Sequence, residues 1–303
     1  MKFYNLKINN LLRQLATSYS GQHRDNMSTV IWEEEGIELN DGTIHYWVSR
    51  AQSDRTLIFL HGAGVDYKMF NDQYDFFRGK YNIVTWDARW HGKSKDGFKE
   101  FSTKLLVSDL SRLITYEKIE KCILVGQSMG GNLAQEYAFR FKNKIEGLIL
   151  IDCTKNIQKL TLFERIIWAT TKPIFAIYPW GSLVNAMAKA CSVKPDVQEY
   201  MKKCFLEIGK QRFVTILIEL NNFIKEENPN KYPENILLIC GEEDQSGNIK
   251  KVMAEWGGDL GKNYHLIRGA SHNANQDKPE EVNEVIAEFI SPKSLKKIGN
   301  STA

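Results

Sequence analysis

The stretch "ILVGQSMGGNLA" (Ile123–Ala134) places a serine between glycines directly after an apolar run. Its centre, Gly126 to Gly130, fits the pattern G-x-S-x-G, in which a buried strand turns sharply into a helix. Glycines two positions to either side let neighbouring main chain pass without Cβ clashes. Such a turn raises the Ser128 hydroxyl above the sheet and directs the first helical N–H groups toward a developing oxyanion. We therefore interpret Ser128 as a displayed nucleophile.

A serine hydroxyl needs a base, and the base needs an acid to fix its tautomer. Among six histidines, His272 in "GASHNANQDKPEEV" lies between the last predicted strand and the last helix, where parallel α/β proteins gather their sites. Two aspartates follow neighbouring strands, Asp244 in "LLICGEEDQSGN" and Asp152 in "LILIDCT". Both give the chain order Ser, Asp, His. The flanking residues favour Asp244, and Asp152 stays open as the alternative.

The small-residue turn in "FLHGAG" (59–64) follows another buried strand and can present a main-chain N–H. We predict that the N–H groups of Ala63 and Met129 form the oxyanion hole.

Outward from these motifs, continuous apolar strands alternate with helical patterns, which is typical of a mostly parallel, doubly wound α/β sheet covered on both faces. This rhythm breaks between residues 154 and 231, where helical stretches rich in aromatic residues replace the strands. We predict an α/β core over 28–153 and 232–292, a helical cap inserted at 154–231, an N-terminal amphipathic helix over 1–27, and a tail over 293–303.

Composition limits the classes of partner. The chain of 303 residues has a net charge of +3 without a clustered basic region, which argues against nucleic acid. Its five cysteines are widely spaced and include no C-x-x-C pair, so we expect reduced thiols, no metal site and a cytoplasmic protein. No apolar run reaches the length of a membrane span. No dinucleotide fingerprint follows a strand, and we expect no cofactor.

Taken together, five motifs resemble the α/β-hydrolase superfamily in their order and spacing. They are HGAG (61–64), WDARWHGKS (86–94), GQSMGG (126–131), GEED (241–244) and GASH (269–272). The resemblance covers residues 28 to 291 and implies a sheet of about eight strands with a helical cap over the site. One departure is Trp90, which replaces the first glycine of the usual D-x-R-G-x-G-x-S loop.

The resemblance implies a serine hydrolase that works through an acyl-enzyme on a small-molecule substrate. Because the cap is rich in aromatic residues, we expect a carboxylic ester of a small, largely apolar compound. The residues predicted to contact it are Trp90, Trp168, Phe175, Tyr178 and Trp180. C–C bond hydrolases, lactonases and cofactor-free haloperoxidases use the same triad, and a ligand-sensing binding protein is an alternative of another class. Epoxide hydrolases fit less well, because they carry aspartate at the position of Ser128.

Overall fold

The structure is a computed structural model and describes residues 33–227 and 232–291. The predicted N-terminal helix and C-terminal tail lie outside the described residues. The strands are β1 (Glu33–Leu39), β2 (Gly42–Ser49), β3 (Thr56–Leu60), β4 (Asn82–Trp86), β5 (Cys122–Gln127), β6 (Ile145–Ile151), β7 (Ile236–Gly241) and β8 (Tyr264–Ile267). The α-helices are α1 (Asn71–Phe77), α2 (Thr103–Tyr116), α3 (Met129–Arg140), α4 (Leu162–Ile177), α5 (Trp180–Cys191), α6 (Pro195–Ile208), α7 (Lys210–Leu220), α8 (Ile249–Leu260), α9 (Ala274–Asp277) and α10 (Pro279–Phe289).

The eight strands form a single sheet in the order β1-β2-β4-β3-β5-β6-β7-β8. Only β2 runs against its neighbours, and the pairs from β4 through β8 are all parallel. Every residue of β5 and β7 is buried, as expected for strands that carry helices on both faces. The predicted mostly parallel α/β sheet is confirmed.

The strand order decides where a site can form. From β3 the chain moves to one side to make β4 and then crosses to the other side to make β5. Ligand sites of open α/β sheets lie at such a reversal, outside the carboxyl ends of the strands. The two predicted oxyanion loops leave the sheet here, one after β3 and one after β5.

Between β6 and β7, the described residues form the four helices α4 to α7 and no strand. The two ends of this segment meet at a neck, where Ile157 and Lys225 form an isolated parallel bridge. The N–H of Gln158 donates to the Lys225 carbonyl at 2.9 Å, and the Lys225 N–H donates to the Asn156 carbonyl at 2.8 Å. We refer to residues 154–231 as the cap, whose boundaries stay a prediction.

Within residues 33–227 and 232–291, we find no helix with both the length and the apolar character needed to cross a bilayer.

Candidate active site

Ser128 occupies a strained turn between β5 and α3. Its φ of 49° and ψ of −116° lie in a region that side chains other than glycine rarely adopt. The flanking glycines are required by close packing. A Cβ on Gly130 would lie 1.9 Å from the Leu60 carbonyl oxygen, and one on Gly126 would lie 2.3 Å from the Gly130 oxygen. This main-chain crowding holds the half-buried serine at the end of β5.

His272 and Asp244 form a buried pair, and His272 lines the same cavity as Ser128. The imidazole Nδ1 lies 3.0 Å from Asp244 Oδ2, and the two residues are 8% and 3% exposed. Burial opposes ionisation of Asp244, but the adjacent imidazole and the Ser246 N–H keep its carboxyl pKa below the ordinary value. Burial also opposes protonation of His272, but Asp244 outweighs this effect and raises the imidazole pKa. The pair can therefore hold a proton on Nδ1 and leave Nε2 free to accept one.

Asp152, the alternative acid, has a different role in the structure. It is fully buried at a φ of 45°, and burial raises its carboxyl pKa. Its Oδ1 accepts from the Gly241 N–H at 2.7 Å and its Oδ2 from the Ala274 N–H at 3.0 Å. Asp152 thus joins the end of β7 to the segment after His272, whereas Asp244 makes the hydrogen bond to the imidazole.

His61 fixes the peptide group that contains the Ala63 N–H. Its Nε2 accepts from the Ala88 N–H at 3.0 Å, so the ring proton lies on Nδ1, which donates to the Gly62 carbonyl at 2.7 Å. In a trans peptide, the C=O of one residue and the N–H of the next point in opposite directions. Holding the Gly62 oxygen therefore also sets the direction of the Ala63 N–H.

His91 fixes the next peptide group in the same way. Its Nε2 accepts from the Gly64 N–H at 3.0 Å, and Nδ1 donates to the Arg89 carbonyl at 2.9 Å. The His61 and His91 rings are 4.9 Å apart between centroids. Burial lowers the pKa of His61 to about 4 and that of His91 to about 3, so both stay neutral near pH 7.

The two predicted oxyanion loops are adjacent. A Cβ built on Gly62 would lie 3.5 Å from the Ser128 Cβ. The Asn132 N–H is the first to bond back into the helix, at 3.0 Å from the Ser128 carbonyl. The Met129 N–H therefore belongs to the first turn of α3, where main-chain donors have no intrahelical partner.

Ser128, His272 and Ala63 line one cavity of about 360 Å³. Most of its apolar lining residues come from the cap, among them Met187, Ala190, Cys191, Met201, Phe205, Phe213, Leu217 and Leu220. The polar residues Gln127, Asn132, Thr154, Ser246, Asn248 and Asn273 also line it. A larger pocket of about 620 Å³ lies at the surface between β1 and α2 and contains none of these residues.

Four of the five aromatic residues predicted to contact substrate, Trp90, Phe175, Tyr178 and Trp180, are not among the residues that line this cavity. Trp90 is buried, donates from Nε1 to the Phe98 carbonyl at 2.9 Å and stacks on Phe101. The loop itself therefore packs against the indole ring and accepts its N–H.

The other three are Phe175, Tyr178 and Trp180. Phe175 and Trp180 pack partly buried against the hydrophobic core, and the Tyr178 side chain is 55% exposed. Trp180 contacts the back of the cavity wall through Phe213, with ring centroids 5.5 Å apart. The side chain of Trp168 lies outside the described part of the chain, so its role stays a prediction.

The cavity wall was missed because it is built from smaller residues at helical spacing. Met187 and Cys191 are four residues apart on α5, and Met201 and Phe205 are four apart on α6. This i, i+4 spacing places each pair on one helix face. This spacing is visible in the sequence, but any packed helix shows it, so it does not identify a cavity wall.

Among the described residues, one group of potential metal ligands stands out, formed by Asp152, Cys240 and Asp244 within 4.8 Å of one another. Asp152 accepts two main-chain N–H groups, and Asp244 faces the imidazole. Burial raises the pKa of the Cys240 thiol, which disfavours the thiolate that a metal requires. This donor set suits the hydrogen bonds already present better than a cation.

Comparisons with known proteins agree with this architecture. The chain is 28% identical to epoxide hydrolase 3 of Xenopus tropicalis, over 91% of this chain and 80% of that protein. An uncharacterized protein of Mycobacterium tuberculosis is 24% identical over 49% of this chain, which spans only 41% of that relative's length. A thermophilic esterase from Thermogutta terrifontis shares the fold with a TM-score of 0.69, at 17% identity over 85% of this chain and 98% of the esterase.

The family itself is identified by a match that covers well over half of the sequence. The profile of the alpha/beta hydrolase family aligns with residues 57–285, from β3 to the middle of α10. It includes all five motifs that raised the expectation. The chain therefore belongs to the alpha/beta hydrolase family.

Proposed function

We propose that the protein hydrolyses a carboxylic ester of a small, largely apolar compound, with Ser128 as nucleophile, His272 as base and Asp244 as acid. The observation that carries the proposal is the shared cavity, which is lined by the strained Ser128 and by His272, the imidazole of a buried His–Asp pair. A serine in an ordinary turn has no need of such a pair. A serine, a histidine lining the same cavity and an acid bonded to that histidine are the groups that an activated nucleophile needs.

In the proposed reaction, the Ser128 oxygen attacks the ester carbonyl while His272 Nε2 takes its proton. Asp244 holds the imidazole proton on Nδ1 and stabilises the imidazolium. The N–H groups of Ala63 and Met129 bind the oxyanion. The imidazolium then protonates the leaving alcohol, and the acyl-enzyme forms. Water, deprotonated by His272, releases the acid and restores the serine.

The cavity supports a small apolar substrate. At about 360 Å³ it lies near the lower end of the range for small-molecule sites, which is about 300–1,000 Å³. Residues of α5, α6 and α7 give the cavity a largely apolar lining. An aliphatic acyl or alcohol group fits this surface, whereas a charged group there would lose its hydration.

The experiment combines a fluorophosphonate probe with a panel of nitrophenyl esters, applied to the wild type and to Ser128→Ala. We expect probe labelling at Ser128 and sustained turnover in the wild type. In Ser128→Ala we expect no labelling and a kcat lower by about a million-fold, as for the nucleophile of a well-studied triad. Labelling at another residue in the variant would contradict the assignment of Ser128, and at most one slow turnover in the wild type would indicate a ligand-sensing protein.

A further inference from the structure

The loop that carries His272 is fastened to the cap as well as to the core. We call residues 270–277 the base loop, and residues 190–193, which connect α5 to α6, the cap junction. Several hydrogen bonds join the two, and they are concentrated on the residues next to the imidazole. Nothing in the chemistry of the triad requires the cap to make these contacts.

Asp277 lies at the centre of this connection. Its carboxylate is 3% exposed, and Oδ1 accepts from the Ser192 hydroxyl. Oδ2 accepts from the Ser271 N–H at 2.8 Å and from the Val193 N–H at 3.3 Å. One buried carboxylate therefore ties the residue before His272 to the cap junction. Hydrogen bonds to a carboxylate are stronger than those between neutral groups, so this connection is a strong one.

Two further bonds hold the main chain on both sides of His272. On one side, the Ser271 hydroxyl donates to the Ala190 carbonyl at 2.7 Å. On the other, the Asn273 N–H donates to the Cys191 carbonyl at 2.8 Å. Ala190 and Cys191 also line the substrate cavity. The wall that contacts the substrate and the support of the base are thus the same short segment.

We propose that Ser192 and Asp277 are positioning residues, through which the cap junction holds the His272 imidazole in line between Asp244 and Ser128. This inference rests on the proposed function. For the proposed reaction, the imidazole must keep its 3.0 Å bond from Nδ1 to Asp244 while Nε2 faces Ser128. A small rotation of the base loop would break the Nδ1 bond or turn Nε2 away from the serine. A misplacement of 1 Å costs about 100-fold in rate in comparable cases.

The test compares Ser192→Ala with Lys194→Met. Lys194 follows the cap junction, and its Nζ donates to the Gln276 carbonyl at 3.0 Å, so both variants remove one cap-to-base-loop bond. Of these two side chains, only that of Ser192 bonds to the Asp277 carboxylate. We expect Ser192→Ala to lower kcat by about ten- to hundred-fold with little change in KM. We expect Lys194→Met to stay within about two-fold of wild type and Ser192→Thr, which keeps the hydroxyl, to restore most of the rate.

A second readout does not depend on turnover. The proton between His272 Nδ1 and Asp244 gives a far-downfield NMR signal when the pair is fixed. Ser192→Ala and the isosteric Asp277→Asn are expected to broaden or shift it, and Lys194→Met to leave it unchanged. An unchanged signal and kcat in both Ser192→Ala and Asp277→Asn, or an equal loss in Lys194→Met, would overturn the inference. Failure of the proposed function would instead show as a wild type that turns over no ester.

Discussion

At the scale of single residues, the site depends on main-chain conformations that side chains seldom adopt. Ser128, Asp152 and Trp90 all have positive φ, at 49°, 45° and 68°. The first displays the proposed nucleophile, and the second joins β7 to the base loop through hydrogen bonds to Gly241 and Ala274. For Trp90, the positive φ is one that glycine adopts most easily, and the indole is buried and stacked on Phe101.

His61 and His91, which hold the peptide groups on either side of Ala63, give a residue-scale prediction. Asn can place its amide nitrogen near the position of Nδ1, and Gln can place its amide oxygen near that of Nε2. His61→Asn therefore keeps the donor to the Gly62 carbonyl, and His91→Gln keeps the acceptor for the Gly64 N–H. We expect these two variants to retain most of kcat.

The swapped variants, His61→Gln and His91→Asn, keep the bonds that face away from Ala63. We expect them to lower kcat by about ten- to hundred-fold and to weaken a boronic acid inhibitor by a similar factor, with KM nearly constant. Steady-state kinetics on one ester and the inhibitor constants measure this. Equal losses in all four variants would mean that the histidines act on stability alone.

The acid gives a second residue-scale prediction. Activity requires neutral His272, whose pKa is raised, so kcat/KM should rise with pH through a midpoint above the ordinary histidine value of about 6.5. In Asp244→Asn the raising influence is lost while burial remains, so the midpoint should move to lower pH. We expect kcat to fall by about 10⁴, as in a well-studied triad. Asp152→Asn should lose far less, and the opposite ranking in purified, folded variants would assign the acid to Asp152.

At the scale of elements, the strands and their terminal loops were predictable and the lining of the cavity was not. At a strand end such as G-x-S-x-G or HGAG, the residues that predict the site lie within a few positions of one another. A short stretch of sequence is therefore enough to predict that part of the site. A helix such as α6 shows which residues share a face, but its sequence does not tell which face turns toward the core. The sequence analysis predicted substrate contacts for large aromatic residues such as Tyr178, whereas Met201 and Leu217 line the cavity.

The element-scale prediction is that α7 limits substrate length. Leu217→Trp should fill part of the cavity, so we expect kcat/KM for long-chain nitrophenyl esters to fall by about ten-fold or more, since even one methylene is worth about 10–200-fold in a tight pocket. The rate on the acetyl ester should change by only a few fold. Tyr178→Ala, at an exposed position on the cap, serves as the control and should leave the chain-length profile as in wild type.

At the scale of the whole molecule, the proposed catalytic groups line one cavity because the strand order reverses between β3 and β5. This much follows from the family pattern, which fixes the order of the motifs. The contacts between the cap junction and the base loop do not follow from the family pattern. Ser192 and Asp277 are 85 residues apart, and neither belongs to a motif. A hydrogen bond over that distance depends on the packing of α5 and α6, which no local pattern encodes.

The neck at Ile157 and Lys225 has a consequence for how this scaffold can diversify. Since the chain leaves and rejoins the core at one point, the whole cap is a replaceable module whose exchange would leave the sheet's connectivity intact. The bond from Ser192 to Asp277 sets the condition for such an exchange. A transplanted cap keeps a working base only if it brings its own hydroxyl to Asp277, or if residues 270–277 travel with it.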